Sequence, residues 1–240
     1  MARLSLLLLA VLTAGVLILA APRLYRHFEL AATGYPVKGV DVSHYQGDID
    51  WKALRAGGIG FAYIKATEGA HFRDPYFAGN WQRSGEAGIP RGAYHFFSLC
   101  KPGAEQAANF IAAVPVEAAS LPHALDAEQM EACSNAQPAA DPVAEILAFL
   151  DATEKRFGRR PMIYTTREFY GARLSDAQRA GRLEKERFWF RSLHWPPRLG
   201  SKPWTLWQYH NRGHRPGVDG PVDLNAFNGS AAEFENFVAR

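Results

Sequence analysis

The strongest constraint on the fold is a repeated alternation, in which short runs of β-branched and aromatic residues are followed by stretches with helical spacing of apolar side chains. That order is the sign of βα units, because consecutive parallel strands need a crossover, usually a helix, to return the chain to the same end of the sheet. Strands are predicted at Val40–Ser43, Phe61–Ala66, Gly92–Phe97, His123–Glu128, Pro161–Thr165, Phe188–Leu193, Trp204–Tyr209 and Val222–Ala226, most of them bounded by Gly, Pro or Asp. Helices fit between them at Trp51–Ala56, Pro75–Ala87, Ala104–Val114 and Pro142–Phe157, with a fifth near Ser175–Lys185. Asp141 before Pro142 reads as an N-cap followed by proline at the first helical position. The last two gaps, Leu193 to Trp204 and Tyr209 to Val222, are rich in Pro, Gly and His and have little helical periodicity, so the sheet should be irregular at its end.

Arg3 precedes an almost wholly apolar run from Leu4 to Ala21, the pattern of a secretory signal, which predicts export to the periplasm or the extracellular space. The run is also long enough to span a bilayer and is followed by Arg23 and Arg26, so an uncleaved anchor in the inner membrane is the competing expectation. Residues 1–35 are therefore read as leader and linker, and residues 36–240 as one domain with a single core. Of the net charge of +3, two charges lie in the leader, which holds Arg3, Arg23 and Arg26 against Glu29. The domain thus offers no basic signal for nucleic acid. A monomer is expected.

The segment His123-Ala124-Leu125-Asp126-Ala127-Glu128 carries the clearest chemistry. Residues two apart on a strand share a face with Cα atoms about 6.6 Å apart, so Asp126 and Glu128 would occupy one site. Adjacent carboxylates resist joint ionisation, and one can stay protonated as a general acid while the other is charged, as glycosidic cleavage requires. Asp41 and Asp223 each sit within an apolar run, where a lone buried charge is costly without partners.

The ordered blocks Gly39-Val40-Asp41-Val42-Ser43-His44-Tyr45-Gln46-Gly47, Ile49-Asp50-Trp51, Phe61-Ala62-Tyr63-Ile64-Lys65-Ala66-Thr67-Glu68-Gly69, Gly92-Ala93-Tyr94-His95-Phe96, Leu125-Asp126-Ala127-Glu128, Ile163-Tyr164-Thr165, Leu206-Trp207-Gln208-Tyr209 and Val222-Asp223-Leu224-Asn225 resemble the family 25 glycoside hydrolases, the Chalaropsis-type lysozymes. The resemblance implies an irregular TIM-like β/α barrel of about five βα units followed by three strands, with an acidic pocket at the strand C-termini. It implies N-acetylmuramidase activity on peptidoglycan, at the β-1,4 bond between N-acetylmuramic acid and N-acetylglucosamine, with the substrate's own acetamido group as a candidate nucleophile. Glu128 corresponds to the general acid, and Asp126, Asp41 and Asp223 to the other pocket carboxylates. A chitinase-like N-acetylhexosaminidase and a catalytically inactive glycan-binding protein remain alternatives.

Tyr63, Tyr94, Tyr164 and Trp207 are candidates for stacking on sugar rings, and Gln208 for a polar contact. Lys65 and Glu68 read either as a surface pair or as a support for the pocket. His44, His95 and His123 do not form a zinc pattern, and no metal or cofactor is expected. Arg191 departs from the family, which usually has a small residue there, and it could pair with a pocket acid, pair with a substrate carboxylate, or face outward as a salt-bridge partner. Cys100 and Cys133 follow consecutive predicted strands, so both would lie in loops leaving the same rim, and a disulfide between them is expected in an oxidising compartment.

Overall fold

The computed structural model describes residues 30–117, 121–128, 133, 140–193, 195–198 and 202–239. The apolar run at residues 4–21 lies outside them, and among the described residues no helix is long and apolar enough to cross a membrane. The strands are β1 Lys38–Val42, β2 Ile59–Glu68, β3 Phe72–Arg73, β4 Arg91–Phe96, β5 Ala124–Ala127, β6 Met162–Thr166, β7 Phe188–Arg191, β8 Leu206–Gly213 and β9 Val222–Phe227. The helices are α1 Trp51–Ala56, α2 Phe77–Glu86, α3 Gly103–Ala113, α4 Pro142–Phe157, α5 Arg167–Phe169, α6 Ser175–Arg179 and α7 Ala231–Ala239.

β1 pairs with β2 on one side and with β9 on the other, which closes the sheet into a barrel of eight strands. β3 folds back on β2 outside the ring. Seven barrel strands are mutually parallel, while β9 runs antiparallel to both of its neighbours. Five βα units followed by three strands are therefore present, as the resemblance implied. The segment between Tyr209 and Val222 needs no helix, because β8 and β9 form an antiparallel hairpin.

Local chemistry sets the helix ends. The Asp141 carboxylate accepts from the backbone N–H groups of Val143 and Ala144, both at 3.0 Å, and Gly158 closes α4 at φ 74°. The predicted fifth helix is shorter, with α5 and α6 separated by a π-helical turn at Tyr170–Leu174. α7 was not expected from the sequence. It lays Phe234 against Phe61 and Phe227, beneath the barrel.

Strand alternation sorts the apolar side chains into two cores. Val40, Val42, Ile64, Leu125, Ile163, Phe188 and Phe190 face outward to the helices, whereas Phe61, Tyr63, Tyr94, Met162, Trp189 and Leu206 fill the barrel. Glycines make room inside it. A Cβ on Gly39 would stand 2.4 Å from the Phe61 ring, and one on Gly92 would stand 2.5 Å from the Tyr63 ring.

Candidate active site

Asp41, Asp126, Glu128 and Asp223 all open into one cavity of about 190 Å³ at the C-terminal rim of the parallel strands. β9 enters the barrel from that rim, which brings Asp223, near its beginning, opposite Asp41 in the β1–β9 register. Lys65, Tyr94, Phe96, Tyr164, Trp189 and Gln208 complete most of the wall. A larger cleft of about 630 Å³ lies against α7, but its lining is mostly apolar and holds no carboxylate pair.

The Gln208 amide joins the acids. Its Nε2 donates to Asp41 at 3.0 and 3.2 Å and to Asp223 at 3.3 Å, while its Oε1 accepts from the Tyr164 hydroxyl at 3.0 Å. Asn225 Nδ2 donates to Asp41 at 2.6 Å and its Oδ1 accepts from Trp189 Nε1 at 2.8 Å. The Tyr164 hydroxyl also stands 3.5 Å from Glu128 Oε2, and Arg191 Nη1 lies 3.6 Å from the same oxygen. Asp126 has a buried Oδ1 with no hydrogen-bond partner among the described residues. Lys65 is tied to Glu68 at 2.7 Å, so this pair borders the pocket instead of standing apart on the surface.

Four acids facing two cations cannot all be charged in so dry a space. Burial pushes Asp41 up to about 6 despite the donors from Asn225 and Gln208. Burial, and then the charge of Asp41, pushes Asp223 up to about 9. Asp126 rises well above the carboxylate range through burial and the charges of Glu128 and Asp41. Glu128 is also raised by burial, with Arg191 and Tyr164 acting against the shift.

These shifts oppose folding at high pH. Asp223 binds its proton up to about pH 9 in the folded chain but only to about its ordinary 3.8 when unfolded, so it subtracts stability increasingly as pH rises between those values. Asp223→Asn should therefore melt higher than the wild type at pH 8, with the difference shrinking toward pH 4. Melting curves across that range check it, and a pH-independent difference would contradict the assignment.

Two of the expected sugar-contacting aromatics are placed elsewhere. Tyr63 faces into the barrel but one layer too deep, fully buried, with its hydroxyl donating to the Pro122 carbonyl at 2.8 Å. Trp207 points outward, packs against Trp204 and Tyr209, and donates to the Ser192 carbonyl at 2.6 Å. Tyr94 and Tyr164 do line the cavity, joined by Trp189 and by Tyr45, a residue 82% exposed at the mouth. Cys100 and Cys133 form a disulfide with Cα atoms 5.5 Å apart. His95 and His123 are buried outside the ring, and burial lowers them to about 4 and about 3 respectively, the behaviour of neutral core histidines.

The family model for glycosyl hydrolases family 25 matches residues 40–218. The chain is 38% identical over 210 residues to the uncharacterised protein YegX of Escherichia coli, spanning 85% of this chain and 74% of that one. It is 34% identical to lysozyme M1 of Streptomyces globisporus, spanning 82% and 69%. A solved family 25 glycosyl hydrolase from Bacillus anthracis superposes with a TM-score of 0.77 at 39% identity, over 85% of this chain and 94% of that one. A closed β/α barrel with an acidic pocket at its strand ends, matched in sequence over most of the domain, belongs to glycosyl hydrolases family 25, and the protein is a glycoside hydrolase.

Proposed function

We propose that the enzyme hydrolyses the β-1,4 bond between N-acetylmuramic acid and N-acetylglucosamine in peptidoglycan, as a lysozyme. The observation that carries the mechanism is Asp126, buried in the pocket wall beside Glu128 with one oxygen lacking a donor among the described residues. The acetamido N–H of a bound sugar would supply that donor, and receiving it favours the charged form of Asp126.

Glu128 then gives its proton to the glycosidic oxygen as the bond from that oxygen to C1 breaks. The acetamido carbonyl oxygen closes on C1, and the positive charge of the resulting ring is held by the Asp126 carboxylate and by Asp41 beyond it. Water attacks C1 as the bond from C1 to the acetamido oxygen breaks, and it gives its proton to Glu128, which leaves the acid ready for another cycle. Gln208 and Asn225 hold Asp41 in place, while Tyr94, Tyr164, Trp189 and the exposed Tyr45 offer ring surfaces to the sugars.

Residues 36–240 form the catalytic domain in this reading, acting as a monomer without a metal or cofactor. Residues 1–35 take it across or onto the membrane, to the compartment where its substrate lies. The alternatives of a chitinase-like hexosaminidase and an inactive glycan binder find no support in the family match. Digestion of purified cell walls, read by mass spectrometry after borohydride reduction, tests the reading. Fragments ending in reduced muramic acid are expected, and fragments ending only in reduced glucosamine would overturn it.

A further inference from the structure

The chemistry above leaves the contact between Arg191 and Glu128 unexplained. A permanent cation 3.6 Å from the acid favours the carboxylate and therefore works against proton donation. Among the described residues the guanidinium makes this ion pair and no hydrogen bond, and its side chain stays 36% exposed beside Glu128. Its planar fork is thus available to a bidentate acceptor arriving from solvent.

We propose that Arg191 is a movable carboxylate clamp, which favours the charged form of Glu128 in the empty site and turns to a carboxylate on the bound glycan, so that Glu128 keeps its proton more readily when an anionic strand is in place. The substrate group is a carboxylate of the muramyl unit, either the free lactyl acid or an acid of the stem peptide. The proton comes from solvent, which reaches Glu128 through the mouth, where its side chain is 25% exposed. Arg191 is a positioning and specificity residue in this scheme, and the scheme rests on the glycan-cleaving reading above.

The surroundings of Glu128 single Arg191 out. Facing it are Asp126 on its own strand, Asp41 from β1, Asp223 from β9, Tyr164 from β6 and Glu168 from α5. Each of these resists the ionisation of Glu128 when charged, apart from the neutral Tyr164 hydroxyl. The cations are Lys65 and Arg191, and Lys65 is already held by Glu68 at 2.7 Å. Arg191 is therefore the cation free to change partner.

The test compares kcat/KM across pH for the wild type, Arg191→Gln and Arg191→Lys on three strands of equal length. One is peptide-free with free lactyl acids, one is the same strand with those acids converted to methylamides, and one carries intact stem peptides. The wild type is expected to prefer a carboxylate strand over the methylamide by about tenfold or more, the range for a charge-assisted contact. Arg191→Gln should lose most of that preference, and its high-pH limb on the methylamide strand should move upward because Glu128 no longer has a cation beside it. Arg191→Lys should recover part of both effects as a point charge. Preference for the peptide-free strand identifies the lactyl acid as the partner, and preference for the peptide-bearing strand identifies the stem.

If folded Arg191→Gln, verified by its melting curve, keeps the wild-type preference and the wild-type pH limb, the clamp is wrong while glycan cleavage stands. If the wild type cleaves none of the three strands, the clamp fails together with the reading beneath it.

Discussion

Glu128→Gln is expected to lower kcat on peptidoglycan by about 10²–10⁴-fold, the usual contribution of a general acid. The amide keeps the shape of the side chain and can still meet the Tyr164 hydroxyl, but it carries no titratable proton. The ion pair to Arg191 is lost at a half-open site, where such a pair is worth about 0–1 kcal/mol, so the variant should melt close to the wild type. Initial rates of glycan cleavage together with a thermal melt separate the two effects. A folded variant that retains near-wild-type turnover would remove Glu128 from the mechanism and point to Asp126 as the proton donor. The pH dependence follows from the same group: activity should fall as pH rises through the raised value of Glu128, because the proton that the leaving oxygen needs is then absent.

How far the site could be read from the sequence depended on strand parity. Asp126 and Glu128 are two residues apart, so any strand through that segment places them together, and the buried runs around Asp41 and Asp223 demanded partners for both acids. Parity also explains the misplaced aromatics. Trp207 is adjacent to Gln208 and therefore had to face away from the pocket that Gln208 lines. Tyr63 shares its face with Lys65 but sits two residues earlier, and that step drops it from the pocket wall into the packed barrel. The same rule would have found two partners that were missed, since Asn225 follows Asp223 by two and Trp189 precedes Arg191 by two.

The fold was legible where helices separate strands and obscure where they do not. Five βα units announce themselves through the change from strand-like to helical spacing, but the gap between Tyr209 and Val222 says only that no crossover helix is present. The missing crossover sets the direction of β9, which returns antiparallel to β8 and then bonds to β1 to close the barrel. That direction is what puts Asp223 at the pocket rim, since its place near the start of a parallel strand would have put it at the opposite end. α7 escaped notice because nine residues containing Phe234, Phe237 and Val238 make a short apolar stripe, whose role appears only once there is an open barrel end to cover.

Removing the Cys100–Cys133 disulfide, by Ser at both positions, is expected to destabilise the domain by about 3–4 kcal/mol, the loop-entropy value for a closed segment of this size. The sequence separation is 33, long enough for the unfolded chain to lose considerable freedom when the ends are joined. Engineered bridges often fall short of that value because the native state must distort to form them. Here the Cys100 side is already arranged by other contacts. The Gln106 amide accepts from Ser98 N at 2.8 Å and donates to the carbonyls of Ser98 and Lys101, both at 2.9 Å, while Cys100 N donates to Ser98 Oγ at 3.2 Å. The loop would hold its course without the bridge, so little native strain offsets the entropic gain. Urea titration of the oxidised wild type against the double Ser variant checks this through the midpoint, with a loss within about 0.5 kcal/mol, the scatter of a surface substitution, rejecting a stabilising bridge. Because Cys133 follows Glu128 by five residues, the same variant should also lose turnover at temperatures well below its melting point.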